Sequence, residues 1–365
     1  MTDASERCDA LVVGAGPGGS SCARALHAAG LDVVVIDRSS FPRDKVCAGW
    51  IMPPVLDALQ IDPVDYARGR TWQPITAFRT GLIGGCPVET DYARPVSYGI
   101  RRCEFDDYLL RRSGARLILG EPVREIVREG KDWVVNGHFR APMLVGAGGH
   151  ACPVARRLRG DEPVPVIRGQ EAEFPVGSEE AGAVVGGVPE IYFCDDLAGY
   201  GWVIRKGDFI NVGLGRDDPH DLPGHVQRFC DWLRATGRLP ACPAASFKGH
   251  AYRLYDTAMP VPLADGILLV GDAAGLAHPQ TGEGIRPAIE SGLLAADVIR
   301  EAAGDYRAER LSPYWTRLQA RLGGPGSGTA ALIPAFARRA MGRAVLGSPW
   351  LTRRVVLDGW FLRGD

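Results

Sequence analysis

A glycine-rich stretch near the N-terminus has the residue types and the spacing to hold a phosphate-bearing cofactor. The run Gly14-Ala15-Gly16-Pro17-Gly18-Gly19 follows the apolar strand 10–13 and leads into a predicted helix of small residues, 20–29. Gly14 allows a tight turn, Gly16 lets the backbone approach a pyrophosphate, and Gly19 lets the helix pack on the strand. The helix N-terminus offers N–H groups and a positive dipole end to phosphates. We therefore assign these four glycines to cofactor binding.

An acidic residue after the next strand fits the same cofactor. The apolar run 33–36 predicts a second buried strand, and Asp37 follows it directly. At this distance from the glycine turn an aspartate accepts a hydrogen bond from a ribose 2′-hydroxyl. Arg38 is assigned to the same site. The order strand, glycine turn, helix, strand, acid predicts a Rossmann-like domain.

A second Gly-Asp pair ends a later apolar strand. The strand 266–270 runs into Gly271 and Asp272, and a loop then leads to a helix predicted over 285–302. The Asp272 carboxylate can bond a sugar-alcohol hydroxyl. The helix start can face an electron-rich ring and stabilise an anionic reduced flavin by its dipole. We assign to the cofactor the residues Gly271, Asp272, Gly282, Gly284 and Ile285.

Three further positions, Cys47, Ala48 and Arg102, are assigned to the candidate cofactor site. The loop 41–50 follows the strand that ends at Asp37, where open α/β sheets bind ligands, so Cys47 and Ala48 are predicted to approach a cofactor ring. The alternative is that Cys47 is a small buried hydrophobe. Arg102 opens a predicted helix, where a cation is misplaced unless an anion is near; phosphate contact and a solvated surface position both stay open.

Two predicted strands carry the remaining assignments. Val123, at the start of a strand predicted over 123–127, is also assigned to the cofactor. Tyr200 and Trp202 alternate onto one face of the strand 199–206 and are predicted to line a substrate pocket. An ordinary aromatic pair packed in a sheet is the alternative. With Cys47, these two aromatic residues form the predicted catalytic set.

Composition and charge narrow the classes of protein. A length of 365 residues predicts two domains. The net charge of −1 gives no sign of the basic surface that binds nucleic acid. Nine cysteines without a C-x-x-C motif argue against a disulfide framework and against a zinc site, so no metal is expected. No signal peptide and no run of about 20 apolar residues is visible. These features predict a cytoplasmic location.

The last 60 residues differ in charge from the rest. From Tyr306 to Asp365 there are ten arginines against three acids, interleaved with apolar residues and Trp350. Basic amphipathic segments with tryptophan suit an anionic membrane surface. Peripheral membrane contact through 330–363 is therefore one reading, and helices docked on their own domain are the other.

These patterns predict an α/β protein with a Rossmann-like FAD-binding domain, a second, mostly antiparallel β-sheet substrate domain and a helical C-terminal segment. The FAD-binding domain is assigned to 1–74, 100–160 and 256–304, the substrate domain to 75–99 and 161–255, and the helical segment to 305–365.

The three motifs together resemble the flavoprotein hydroxylase fold and, within it, the geranylgeranyl reductase family of FAD oxidoreductases. Arg102-Cys103-Glu104-Phe105-Asp106 matches the family's Arg-x-x-Phe-Asp, and the loop 45–49 matches a flavin-side loop that often carries cysteine. The segment 200–206 resembles the pocket motif Tyr-x-Trp-x-Phe-Pro-Lys, with Ile204-Arg205 in place of Phe-Pro. The resemblance implies FAD and the hydrogenation of isoprenoid C=C bonds, often at a membrane.

A departure bears on the reaction type. The hydroxylase motif Asp-Gly-x-x-Ser-x-x-Arg appears at 148–156 without its Asp and Ser, which makes NADPH-driven hydroxylation less favoured. We therefore expect an FAD-dependent reductase of C=C bonds in a small lipophilic substrate, with Cys47, a nearby group or water as the proton source. A monooxygenase or halogenase-like enzyme and an electron-transfer flavoprotein are the alternatives. NAD(P)H, a ferredoxin and free reduced flavin are all open as the electron donor.

Overall fold

The structure is a computed structural model of the chain, and it describes residues 6–160, 166–177, 184–218, 220–239, 247–256, 260–323 and 335–363. The strands are β1 (Glu6–Arg7), β2 (Ala10–Val13), β3 (Val33–Asp37), β4 (Trp50–Ile51), β5 (Gln73–Ile75), β6 (Ala77–Leu82), β7 (Val88–Asp91), β8 (Ser97–Gly99), β9 (Arg116–Leu119), β10 (Ile126–Glu129), β11 (Asp132–Val135), β12 (Phe139–Ala141), β13 (Met143–Gly146), β14 (Ile167–Pro175), β15 (Glu190–Phe193), β16 (Gly199–Lys206), β17 (Phe209–Arg216), β18 (Lys248–Tyr252), β19 (Leu263–Ala264) and β20 (Ile267–Leu269).

The helices are α1 (Pro17–Ala28), α2 (Pro53–Leu59), α3 (Pro63–Tyr66), α4 (Arg102–Arg111), α5 (Pro153–Arg159), α6 (Leu222–Ala235), α7 (Ile285–Ala302), α8 (Ala308–Leu311), α9 (Pro313–Leu322), α10 (Ala335–Leu346) and α11 (Pro349–Leu351), and a π-helix follows over Thr352–Phe361. No helix in the described part of the chain is long and apolar enough to cross a membrane.

The chain divides into two compact units. Unit 1 comprises Met1–Arg43, Cys103–Pro165 and Tyr252–Gly326, and unit 2 comprises Asp44–Arg102, Val166–Ala251 and Ser327–Asp365. The mixed α/β architecture with a helical C-terminal segment is as the sequence predicts. The units differ from the predicted domain bounds over 44–74, which lies in unit 2 because β4 and β5 pair with β8. The C-terminal segment is also shared between the units.

Unit 1 is built on a six-stranded sheet in the order β19-β20-β13-β2-β3-β9. All pairings from β20 to β9 are parallel, as in doubly wound folds, and the strand order reverses at β2. The strands β2 and β3 are almost wholly buried β-branched and aliphatic residues, as a sheet covered on both faces requires. The glycine turn after β2 therefore lies at the point where such sheets bind ligands.

A second sheet of unit 1 explains one wrong boundary. It has the order β1-β12-β11-β10. Asn136 and Gly137, both with positive φ, form the hairpin turn between β11 and β12 that an Asn-Gly pair predicts. The strand predicted over 123–127 instead begins at Ile126. The Asn136 side-chain carbonyl accepts the backbone N–H groups of Arg124 and Glu125, so these residues are satisfied outside the sheet.

Unit 2 contains a seven-stranded sheet in the order β18-β14-β17-β16-β15-β6-β7. From β14 to β7 the pairings are antiparallel except that of β15 with β6. One core lies under helix α6, with Phe229 and Leu233 fully buried. Another core is formed where the C-terminal helices bury Leu357 and Phe361 against Phe78 and neighbouring strand residues. The C-terminal helices are thus docked on their own unit.

Among the described cysteines, seven are outside any disulfide, and Cys230 on α6 is disulfide-bonded. Among the described residues, no three or more His, Cys, Asp or Glu side chains lie close enough together to hold a metal ion.

Candidate functional site

The glycine turn of unit 1 is shaped by close backbone approaches. Gly14 has φ of +112°, and a Cβ there would overlap the carbonyl of Ala147 at the end of β13. A Cβ at Gly19 would overlap the Gly14 carbonyl oxygen, so only glycine lets α1 start this close to the turn. Gly18 lies against α7, since its Cβ would be 2.9 Å from the Ala288 carbonyl oxygen. This contact brings the first turns of α1 and α7 together.

Gly16 differs from the other three glycines because the space in front of it is open. A Cβ there would meet only the Arg43 Nη2 atom, at 3.6 Å. Gly16 is also the N-cap of α1, and no side chain caps this helix end. The first-turn N–H groups thus need an acceptor from elsewhere. The open cradle, the helix N-terminus and the adjacent guanidinium fit a bound phosphate.

Arg43 is the residue of this site that the sequence analysis missed. Its Nη2 lies 3.2 Å from a carboxylate oxygen of Asp106, the fully buried acid of the Arg-x-x-Phe-Asp motif. Its Nη1 is buried and has no hydrogen-bond partner among the described residues. A buried guanidinium N–H without an acceptor is costly, by about 1–3 kcal/mol or more. An anionic cofactor group would supply that acceptor, which is why the site fits the pyrophosphate of FAD.

Asp37 holds the glycine turn through its carboxylate. One oxygen accepts from the backbone N–H of Ala15 at 2.7 Å and the other from that of Ser39 at 2.8 Å. A carboxylate has about four acceptor positions, so capacity is left for a ribose hydroxyl. Arg38 is exposed, and Val123 lies half-buried in the loop before β10. Their assignment to the cofactor stays a prediction.

The Gly-Asp turn and the start of α7 lie side by side in unit 1. Gly271 has φ of +57° and donates its N–H to Ser291 Oγ on α7 at 3.0 Å. A Cβ at Gly284, the N-cap of α7, would be 3.2 Å from Asp272 Oδ1. A Cβ at Gly282, with φ of +69°, would overlap the Tyr252 hydroxyl. Ile285 is buried at the first position of the helix.

A half-buried acid, Glu283, lies in this segment. Burial raises the pKa of Glu283 to about 7, and its Oε1 is buried without a hydrogen-bond partner in the described residues. Glu283 sits between the two assigned glycines, and its position between glycines in a loop was the only sequence signal.

In unit 2 the Cys47 loop is held by three strands of the large sheet. Glu171 on β14 accepts the Cys47 backbone N–H at 2.5 Å, and Asn211 on β17 donates to the Cys47 carbonyl at 3.3 Å. Lys206 on β16 donates to the Ala48 carbonyl at 3.1 Å. The Gly49 N–H points to the Cys47 Sγ at 3.4 Å. The backbone of this short loop is therefore fixed by side chains far away in sequence.

The predicted aromatic pair belongs to the same network. The rings of Tyr200 and Trp202 lie side by side, with centroids 6.0 Å apart. Trp202 donates its indole N–H to Asn211 Oδ1 at 2.7 Å, so one amide joins the indole to the Cys47 carbonyl. Tyr200 packs edge-on against Phe361 of the π-helix, with centroids 5.5 Å apart. The predicted catalytic residues Cys47, Tyr200 and Trp202 are thus brought together within unit 2.

The basic pair at the start of α4 separates into two roles. Arg101 pairs with Glu173 at 2.9 Å and lies over the ring of Phe209, 3.6 Å from its centroid. Arg102 is the first helical residue and is buried. Its contact with a phosphate stays a prediction.

The comparisons with known proteins fit this arrangement. A family model described as FAD binding domain matches residues 7–60, which include the glycine turn and Asp37. The fold is similar to that of a geranylgeranyl bacteriochlorophyll reductase-like protein from Thermoplasma acidophilum, with a TM-score of 0.76, 24% identity and coverage of 97% of this chain and 92% of the other.

Relatives in sequence extend over most of the chain. A digeranylgeranylglycerophospholipid reductase of Methanocaldococcus jannaschii is 28% identical over 346 residues, covering 87% of this chain and 83% of its own length. A menaquinone reductase of Mycolicibacterium smegmatis is 30% identical over 328 residues, covering 80% of this chain and 76% of its own length. The chain belongs to the geranylgeranyl reductase family. As a member of that family it is an FAD-dependent oxidoreductase.

Proposed function

We propose that this family member reduces C=C bonds of a small lipophilic, isoprenoid-like substrate. The observation that carries the proposal is the network in unit 2. Through Asn211, the indole of Trp202 is bonded to the carbonyl of Cys47, and Lys206 of the same pocket motif bonds the next carbonyl. The motif that resembles the family's substrate pocket is therefore joined to the loop that resembles its flavin-side loop.

Within the proposal, the chain's own residues bind, orient and shield. When bound and reduced, FAD would supply a hydride, which is one proton with two electrons. Gly16, Arg43 and the N-terminus of α1 hold the pyrophosphate, and Asp37 and Asp272 accept from ribose and ribityl hydroxyls. Tyr200 and Trp202 form an apolar wall that excludes water from the alkene. Arg102, Val123, Gly282, Gly284 and Ile285 complete the cofactor contacts in the proposal.

The decisive experiment is an anaerobic single turnover. Dithionite-reduced enzyme is mixed with a panel of prenyl lipids, flavin reoxidation is followed by absorbance, and products are weighed by mass spectrometry. We expect reoxidation without O₂ and a product two hydrogens heavier. A product that forms only with O₂ and gains oxygen or halogen would establish a monooxygenase or halogenase instead. Rapid electron exchange with a partner protein, without any alkene reduced, would establish an electron-transfer flavoprotein.

The electron donor is part of the same proposal. NAD(P)H, reduced ferredoxin and free reduced flavin are compared for the rate at which each reduces the bound FAD under nitrogen. The donor is the compound or protein that reduces the bound FAD at least as fast as the enzyme turns over. The other two then serve as controls.

We further propose that the enzyme is cytoplasmic and meets its substrate at an anionic membrane surface. Although Leu346, Val356, Leu357 and Phe361 are buried in unit 2, Trp350 is 70% exposed and Met341 is 56% exposed. Arg339 and Arg354 are exposed in the same segment. An exposed indole near arginines is what an interfacial segment needs. Residues 330–334 of the predicted contact region lie outside the described residues.

A further inference from the structure

Two glutamates on β14 face the Cys47 loop from different electrostatic environments. Glu171 and Glu173 are two residues apart, so their side chains lie on the same face of the strand. Pairs of acids whose surroundings push their pKa values apart are a recurrent sign of an acid and a fixed charge in one site. The contacts of each glutamate therefore decide its protonation state.

Glu173 forms ion pairs with the two cations on this face of the sheet. Lys206, whose side chain is fully buried, lies 2.5 Å from one of its oxygens, and Arg101 lies 2.9 Å from the other. Burial alone would raise the pKa of Glu173, but the two cations outweigh burial and hold it below its ordinary value. Glu173 is thus an ionised partner of Lys206 and Arg101.

Glu171 is left without a cation of its own. It is 5% exposed, its Oε1 accepts the Cys47 N–H, and its Oε2 is buried without a hydrogen-bond partner among the described residues. Burial raises its pKa to about 7, opposed by the Cys47 N–H, Lys206 and the Asn211 amide and supported by the charge of Glu173. Lys248 on β18 also acts on it through its charge, and Lys248 pairs with Asp44. Near neutral pH, Glu171 can therefore hold a proton.

We propose that Glu171 is the proton donor of the site, an inference that rests on the proposed function. In this role the Glu171 carboxyl would give its proton to one alkene carbon, while the hydride that reduced FAD would supply goes to the other. The π bond would be replaced by two C–H bonds, the two electrons would come from the reduced cofactor, and the Glu171 carboxylate would take a new proton from solvent. Oε2, which has no hydrogen-bond partner among the described residues, would carry the transferred proton.

The first test needs no substrate. Difference infrared spectra of the FAD-loaded protein are recorded across pH for the wild type and Glu171→Gln. We expect a carboxylic-acid C=O band that titrates near pH 7 in the wild type and is missing from the variant. A wild-type spectrum identical to that of Glu171→Gln, with no acid band lost, shows an ionised Glu171 and overturns the inference whatever the protein reduces.

The second test uses the single turnover across pH. In the wild type we expect a rate constant that is flat below about pH 7 and falls tenfold per pH unit above it. Glu171→Gln should retain FAD but lose at least tenfold in rate and all of this pH dependence, and Glu171→Asp should restore both in part. Cys47→Ser is the matched control, because it alters the same loop and should keep the break near pH 7.

The outcomes separate the two proposals. If the wild type reduces no alkene, the proposed function fails while the infrared band still decides the protonation of Glu171. If the wild type reduces an alkene and Glu171→Gln keeps the break in its pH profile, Glu171 only positions the loop and the inference is overturned.

Discussion

Replacing Gly16 by aspartate should uncouple folding from FAD binding. The structure leaves space for the new side chain, because a Cβ at this position meets only Arg43 Nη2, at 3.6 Å. Gly16 is the uncapped N-cap of α1, a position that aspartate favours, and φ of −74° suits any residue. The free energy of unfolding of the apoprotein should therefore stay within about 1 kcal/mol of the wild type, or rise.

The loss of FAD affinity should be large. The new carboxylate would face the pyrophosphate, at a cost of several kcal/mol, and would draw Arg43 away from it, at a cost of about 1.5–3 kcal/mol. The two terms add to at least about 4 kcal/mol, which corresponds to a dissociation constant larger by roughly 1,000-fold or more. Flavin-fluorescence titration measures the affinity, and urea denaturation of the apoprotein measures the stability.

Two variants control for size and for backbone clash. Gly16→Asn has the same shape without the charge and should lose much less affinity than Gly16→Asp. Gly19→Ala should instead destabilise the apoprotein, since its Cβ overlaps the Gly14 carbonyl oxygen. The reasoning is refuted if Gly16→Asp binds FAD within tenfold of the wild type, or if the asparagine variant binds as weakly as the aspartate variant.

Four further results are expected. Cys47→Ser should keep FAD bound and slow the single turnover; unchanged turnover on a reduced substrate would make the thiol structural. Asn211→Leu should lower the free energy of unfolding by about 2–4 kcal/mol in urea, because it leaves the Trp202 N–H and the Cys47 carbonyl without their partner. The raised pKa of Glu171 means that the folded state binds more protons than the unfolded state between pH 4.5 and about 7. Stability should therefore fall with rising pH in that window and level off above it, by up to about 3 kcal/mol, and Glu171→Gln should lack this part of the slope. Trp350→Ala should leave the melting temperature within about 1 °C of wild type while weakening sedimentation with anionic vesicles; equal binding of both proteins would remove Trp350 from the membrane contact.

The local signals of the sequence were enough to predict the framework of unit 1. The glycine turn, the strands around it and the Asn136-Gly137 hairpin each depend on neighbours within a few residues, and all are found. The strand at 123–127 was misplaced because a side chain more than ten residues away satisfies its backbone. That competition is decided by tertiary contacts and leaves no mark on local periodicity.

The site residues that were missed share another property. Arg43 forms an ion pair with Asp106, 63 residues away in sequence. Glu171 accepts a hydrogen bond from the backbone of Cys47, 124 residues away. Local spacing gives no register between such distant segments. The alternation on β14 would have placed Glu171 and Glu173 on one face, but only the fold shows that Lys206 and Arg101 both pair with Glu173.

The single amide that joins Trp202 to Cys47 matters for anyone who would alter the range of substrates. The Trp202 ring lies on Gly213, where a Cβ would overlap it, and its N–H is committed to Asn211. A smaller side chain at 202 would therefore release Asn211 and loosen the Cys47 loop together with the pocket wall. Tyr200 instead packs edge-on against the ring of Phe361 in the C-terminal π-helix. In the proposed pocket, libraries that vary Tyr200 and Phe361 together should change the wall while leaving the hydrogen bonds of Asn211 to Trp202 and Cys47 in place, whereas libraries at Trp202 should disturb both.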